Sequence, residues 1–181
     1  MNIIPTVIPG CFEVQPRVIA DNRGRFVKTF HFEVFRQFGL STNFMEEFYS
    51  ISRQRVLRGL HFQIPPFDLC KLVYCVEGEV LDAIVDLRKG SPTFGQYALF
   101  KLKASQANML FIPLGLAHGF YVTSPRAIVM YKVTTIYSAE HDTGILWNSV
   151  NIPWPDVAPI LSNRDQQFQP FSEFHSPFVF R

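Results

Sequence analysis

Between residues 71 and 134 the chain is cut into short apolar runs by turn residues, and this punctuation constrains the fold more than any other feature. The runs at 71–76, 79–87, 97–102, 109–112, 120–123 and 127–134 are short and rich in β-branched and aromatic residues. Their regular spacing is that of a β-sandwich or barrel. Gly78, between the first two runs, predicts a tight hairpin. In the run 79–87, alternation puts Leu81, Ala83, Val85 and Leu87 on one face and Asp82 and Asp86 on the other. That pattern reads as a core face backed by a surface carboxylate pair.

A length of 181 residues suits one domain, with an N-terminal strand arm over about 1–20 and an irregular C-terminal arm over about 138–181. With 48% hydrophobic and 18% charged residues, there is enough apolar material for a sizeable core and too little charge for disorder. The 19 Phe and 13 Pro favour β structure and exceed what a small core needs, so some aromatics should line a pocket or a subunit interface. For the tail residues Phe168, Phe171, Phe174, Phe178 and Phe180, an interface and packing on the chain's own barrel are both open.

The 17 basic and 15 acidic residues are interspersed, which argues against a nucleic-acid-binding face. Cys11, Cys70 and Cys75 lack metal or redox spacing and read as buried free thiols in a reducing compartment. The opening MNIIPTVIPG has no basic n-region, and no apolar run approaches the ~20 residues that span a bilayer. A soluble cytoplasmic protein is expected.

Outside the central runs, residues 1–20 read as short edge strands and Asp21-Asn22-Arg23-Gly24 as a turn. Residues 25–30 and 44–63 read as extended, and 32–38 as two turns of helix stopped by Gly39. After Tyr137 the periodicity fades into a Pro- and Trp-rich arm, with a short helix after Ser162 that has Asp165 in its first turn.

The densest chemistry lies in Arg58-Gly59-Leu60-His61-Phe62-Gln63, closed by Lys71. Extended, this segment presents Gly59, His61 and Gln63 on one face and Leu60 and Phe62 on the other. His118 ends a Pro-x-Gly-x-x-His pattern typical of the second half of a cupin-type double-stranded β-helix. A first-row metal wants about three converging ligands, and with only two plausible histidines the site is expected to be metal-free. A histidine base, a lysine and a tyrosine suit proton abstraction beside a carbonyl, with an enolate stabilised by the cation and reprotonated by the phenol. Tyr131 shares an inward face with Val129 and Val133, so it qualifies as that acid; a hydrogen-bonded core tyrosine is the structural alternative.

From about Gly10 to Asp165 the chain resembles the nucleotide-sugar 4-keto-6-deoxyhexose 3,5-epimerases, the dTDP-4-dehydrorhamnose 3,5-epimerase-like family. The resemblance rests on DNRG at 21–24, VLRGLHFQ at 56–63, KLV at 71–73, GEVLDAIVDLRKGSPTFG at 78–95, IPLGLAHGF at 112–120, GILWN at 144–148 and LSNRD at 161–165, all in order. It implies an all-β cupin-type jelly roll with a few short helices and an isomerase that needs no cofactor.

By the same resemblance, His61 is the general base with Asp165 paired to it, Lys71 steadies the enolate, and Tyr131 is the acid. Arg23 and Arg58 hold the diphosphate, His118 and Gln63 contact substrate, and Phe26, Lys28, Glu46 and Tyr137 serve the nucleotide end. A homodimer with exchanged N-terminal strands is also implied, as is a role in deoxysugar synthesis for surface polysaccharide such as O-antigen. Lys28 and the run Glu46-Glu47-Phe48-Tyr49-Ser50 depart from the family pattern at the base-binding end, which leaves dTDP, CDP and other nucleotides open. Rival readings are a single-centre epimerase or ketoisomerase, a non-catalytic sugar-binding cupin, and a metal-dependent oxygenase.

Overall fold

The computed structural model describes residues 1–180. Thirteen strands run through it: β1 (Asn2–Pro5), β2 (Phe12–Gln15), β3 (Val18–Asp21), β4 (Gly24–Val27), β5 (Glu46–Arg53), β6 (Leu57–Gln63), β7 (Lys71–Glu77), β8 (Glu79–Asp86), β9 (Tyr97–Lys103), β10 (Met109–Ile112), β11 (Leu116–Val122), β12 (Arg126–Val133) and β13 (Asp142–Gly144). One helix, α1 (Phe32–Gln37), and two 3-10 turns, Asp165–Gln167 and Phe171–Glu173, complete the elements. The strands form a six-stranded sheet ordered β1-β2-β10-β7-β12-β5, a five-stranded sheet ordered β13-β6-β11-β8-β9, and a separate β3–β4 hairpin. The fold is the expected two-sheet jelly roll.

Three apolar layers explain why the central strands read as apolar runs rather than strict alternations. Val73, Cys75, Val129 and Tyr131 of one sheet meet Val80, Ile84, Phe120 and Val122 of the other between the sheets. Behind the six-stranded sheet, Leu72, Tyr74, Met109 and Phe111 pack on Phe35 of α1 and on Leu40. Behind the five-stranded sheet, Leu60, Phe62, Ala83, Val85 and Leu87 pack on Ile145, Val150, Ile152 and Phe178 of the C-terminal arm. Strands covered on both faces lose the polar half of their alternation.

Two expectations fail. Asp82 and Asp86 are not a surface pair, because both are fully buried. The face they share with Val80 and Ile84 points between the sheets, while the opposite face is sealed by the C-terminal arm. Asp86 is satisfied locally, accepting from Arg88 Nε and Nη2 at 2.9 and 2.8 Å and from the hydroxyls of Ser91 and Thr93.

Nor is the Gly78 connection a hairpin. β7 and β8 belong to different sheets, so the chain arches from one layer to the other. Gly78 has φ +77, and a Cβ there would lie 2.0 Å from the Arg126 carbonyl oxygen. A left-handed glycine between two strands looks the same in sequence whether the strands pair or stack.

The tail aromatics pack on their own chain. Phe178 is buried, Phe171 and Phe174 lie against the same cluster, and the Arg88 guanidinium sits 5.0 Å from the centroid of Phe180. At the other end, β1 pairs with β2 and β2 with β10 inside the chain. The helix at 32–37 and the turn that begins at Asp165 fall where the sequence places them. Among the described residues no helix is long and apolar enough to cross a membrane.

Candidate active site

A cavity of about 290 Å³ opens between the sheets. That is the lower end of the ~300–1,000 Å³ usual for ligand sites. One wall is the β6–β11 pair, where His61 stands opposite His118 in register. The facing wall comes from β12, β5 and β7 and carries Tyr131, Glu46, Phe48, Ser50 and Lys71.

The register of β6 is what brings Arg58 to the same cavity as His61. Phe120 pairs with Arg58 and His118 with His61, so two residues of β6 oppose Gly119 alone. Such a bulge offsets the period-two alternation by one position, and side chains three apart then share a face. The crossing needs glycine on both strands: a Cβ on Gly59, which has φ +134, would lie 2.6 Å from Gly119 Cα. Arg58 is held by Ser52 Oγ at 2.9 Å from its Nε.

His61 Nε2 lies 2.9 Å from Asp165 Oδ1, and Gly59 N donates to Asp165 Oδ2 at 3.0 Å. Ser162 Oγ accepts from Asp165 N at 3.0 Å and fixes the 3-10 turn that presents the carboxylate. Burial works against the charged Asp165 carboxyl, but the bonds from His61, Gly59 and Ser162 outweigh it and hold the group below its ordinary value. With Nε2 engaged, the His61 nitrogen that has no protein partner among the described residues is Nδ1.

Tyr131 reaches the cavity from the opposite sheet, stacked on Phe48 with centroids 4.9 Å apart. Burial raises its hydroxyl well above the usual phenol range, which keeps it protonated. Lys71 donates from Nζ to the His61 carbonyl at 3.1 Å. Burial lowers its ammonium from 10.5 to about 8, against the opposing fields of Asp142 and Asp82.

A second histidine–carboxylate pair lies beneath the cavity, and the sequence reading missed half of it. His118 Nε2 is 2.8 Å from Asp82 Oδ2, and both side chains are buried. Burial pushes His118 down and Asp82 up. Alternation places Asp82 on the strand face of Val80 and Ile84, and the burial of that face between the sheets turns it inward.

Gln63 lines the cavity, but its amide is occupied by the backbone. Its Nε2 donates to Phe67 O and Ile136 O, and its Oε1 accepts from Ser138 N at 2.7 Å. It braces the loop that carries Tyr137. Glu46 Oε1 accepts from Tyr137 N at 3.1 Å, so Glu46 and the exposed Tyr137 form one rim of the mouth.

Arg23, Phe26 and Lys28 are not brought to this cavity by their own chain. They sit on or just after the β3–β4 hairpin, where Arg23 pairs with Asp21 and Phe26 is 62% exposed. Among the described residues no group of three His, Cys, Asp or Glu side chains converges on a point.

A jelly roll with a histidine–carboxylate pair on one wall of its cavity, a protonated phenol on the other and a lysine beside them is an arrangement suited to a cupin-type sugar epimerase. The comparisons with known proteins agree. The family model described as dTDP-4-dehydrorhamnose 3,5-epimerase matches residues 5–173, and the chain belongs to that family. The dTDP-4-dehydrorhamnose 3,5-epimerase of Shigella flexneri is 44% identical over 174 residues, covering 94% of this chain and 96% of its own.

Among solved structures, the Legionella pneumophila epimerase in complex with dTDP-4-keto-L-rhamnose superposes with a TM-score of 0.94 at 34% identity, covering 99% of both chains. The Bacillus anthracis epimerase with TDP and PPi bound gives 0.89 at 40% identity, covering 92% of this chain and 97% of its own. The protein is accordingly an isomerase acting on carbohydrates, a dTDP-4-keto-6-deoxyhexose 3,5-epimerase of deoxysugar (rhamnose) biosynthesis.

Proposed function

We propose that His61 removes the proton beside the C4 ketone of a dTDP-linked 4-keto-6-deoxyhexose and that Tyr131 returns a proton from the other side of the ring. The observation that carries this reading is the placement of the two groups on facing sheets around one cavity. Asp165 fixes the imidazole with Nδ1 free as the base. Lys71, as the ammonium, stabilises the enolate oxygen, an interaction that grows as charge develops and so lowers the barrier rather than only tightening binding.

The cavity accommodates the sugar and leaves the nucleotide to the mouth. Arg58 holds the diphosphate, His118 contacts the sugar from the same wall as His61, and Tyr137 stacks on the base beside Glu46. No step in this scheme calls for a metal or a redox cofactor.

The working unit is a homodimer in the cytoplasm. What supports the dimer is a hairpin that pairs with neither sheet and an edge strand, β5, that exposes Phe48, Tyr49 and Ile51. A partner's hairpin laid across that edge delivers Arg23, Phe26 and Lys28 to the nucleotide end. The N-terminal strands exchanged in such a dimer lead directly into the β3–β4 hairpin.

The test is incubation with dTDP-4-keto-6-deoxyglucose in D₂O. Deuterium should enter C3 and C5 with inversion, and both His61→Asn and Tyr131→Phe should abolish inversion while retaining dTDP binding. Label without inversion in the wild type would remove the two-faced mechanism. For the dimer, mixing inactive His61→Asn with an Arg23→Ala variant should recover activity through shared sites, and a monomer by sedimentation would refute it.

A further inference from the structure

Ser50 Oγ and Asp82 Oδ1 are shut off from solvent and have no hydrogen-bond partner among the described residues. Buried polar atoms are normally satisfied, so an orphan calls for a use. The other oxygen of Asp82 is bonded to His118. Ser50 has no part in the fold or in the mechanism as stated above.

Ser50 lies on β5, whose alternation turns Glu46, Phe48, Ser50 and Ser52 to one side and Glu47, Tyr49 and Ile51 to the other. Glu46, Phe48 and Ser50 line the cavity between the sheets, while Tyr49 and Ile51 are exposed. In the β5–β12 register Phe48 stands opposite Tyr131, and Ser50 stands opposite Val129, the next residue on the Tyr131 face. Successive inward residues of β5 thereby surround the phenol. Phe48 stacks on its ring at 4.9 Å, and Ser52 Oγ accepts from Nε of Arg58, whose charge favours the phenolate. Burial raises the Tyr131 hydroxyl, and the Ser50 hydroxyl beside it is the strongest influence against that rise.

We propose that Ser50 is the positioning residue for the Tyr131 acid: its hydroxyl donates to the phenol oxygen as the proton leaves, aiming that oxygen at the sugar ring and sharing the new charge. In that step the Tyr131 O–H bond breaks, a C–H bond forms at the enolate carbon and the ketone is restored. The electron pair of the broken bond stays on the phenolate oxygen, and Ser50 keeps its own proton. The Ser50 bond is unmade in the resting protein and closes as the phenolate charge appears, so it favours the transition state over bound substrate. The proposal rests on the role given to Tyr131 under Proposed function.

The test compares Ser50→Ala with Ser50→Thr in the full chain, with dTDP-4-keto-6-deoxyglucose as substrate and initial rates read in H₂O and D₂O. Ser50→Ala should lower kcat ~10–100-fold, the worth of one hydrogen bond to a charged group, with KM near the wild-type value. Slower reprotonation should raise the solvent isotope effect on kcat and shrink the effect of deuterium placed at C3 or C5 of the substrate. Ser50→Thr, which keeps the hydroxyl, should restore most of the rate and both isotope effects. Ser50→Cys, close in size and only a weak donor, gives the same readings should the Ala variant fail to fold.

A purely structural hydroxyl would lower the urea midpoint and the rate together and leave both isotope effects at wild-type values, and that outcome overturns the proposal. So would an unchanged kcat, or an effect confined to KM, which would make Ser50 a substrate contact instead. Absence of any inversion by the wild type would overturn the functional reading beneath it.

Discussion

Asp82 Oδ2 lies 2.8 Å from His118 Nε2 inside the protein, while Asp82 Oδ1 has no protein partner among the described residues. The pair sits on adjacent strands of the wall that carries His61, since Asp82 of β8 lies across from Phe120 of β11, two residues beyond His118. Truncating one member leaves the other buried and unpaired. Asp82→Ala should therefore cost about 1–3 kcal/mol in urea unfolding. Asp82→Asn, which keeps the shape and one polar contact, should cost less.

The pH dependence of the reaction should reflect Lys71. Burial brings its ammonium to about 8 rather than 10.5, so the cation proposed to steady the enolate is present below that value and lost as pH rises through it. The rate should fall on the alkaline side of about pH 8. Asp142→Asn removes a field that favours the ammonium, so the fall should move to lower pH. A wild-type profile flat to pH 10 would contradict the assignment.

Replacing Asp165 by Asn keeps the size of the group and removes the charge that fixes the His61 tautomer. A loss of ~10²–10⁴ in kcat is expected, the range associated with a working general base. Stability carries a sign as well. The Asp165 carboxyl is held below its ordinary value, so its stabilising contribution is complete above that value and fades as pH falls below about 4. The gap in unfolding free energy between wild type and Asp165→Asn should be full at neutral pH and close in acid.

At the strand crossing, Gly59→Ala should destabilise the protein by about 1–3 kcal/mol or more, because the added methyl meets Gly119 Cα at 2.6 Å in a backbone conformation that side chains avoid. The displaced bulge should also turn Arg58 away from the cavity. Weaker dTDP binding by calorimetry would register that second effect.

Much of this arrangement was legible in the residues. The apolar runs, the helix stopped at Gly39 and the turn after Ser162 follow local rules of alternation and capping, and they lie where those rules put them. What escaped depends on partners distant in sequence. Alternation separated Asp82 from Ala83 but could not say that the C-terminal arm would cover the Ala83 side and so turn Asp82 inward. The Gly78 arch and the bulge at Gly59 are set by neighbouring strands, through the Arg126 carbonyl in one case and Gly119 in the other. Nor does the sequence reveal that Gln63, which lines the cavity, also bonds through its amide to Phe67, Ile136 and Ser138.

The two-sided sealing of the central strands divides the molecule into parts that can change independently. His61, Tyr131 and His118 stand on strands with apolar packing behind them, so exchanging any neighbour there disturbs a whole layer. Glu46, Tyr137 and the β3–β4 hairpin lie at the mouth, where substitutions displace little but solvent. A lineage could therefore adopt a new carrier nucleotide by drift at the rim and inherit the proton chemistry unaltered.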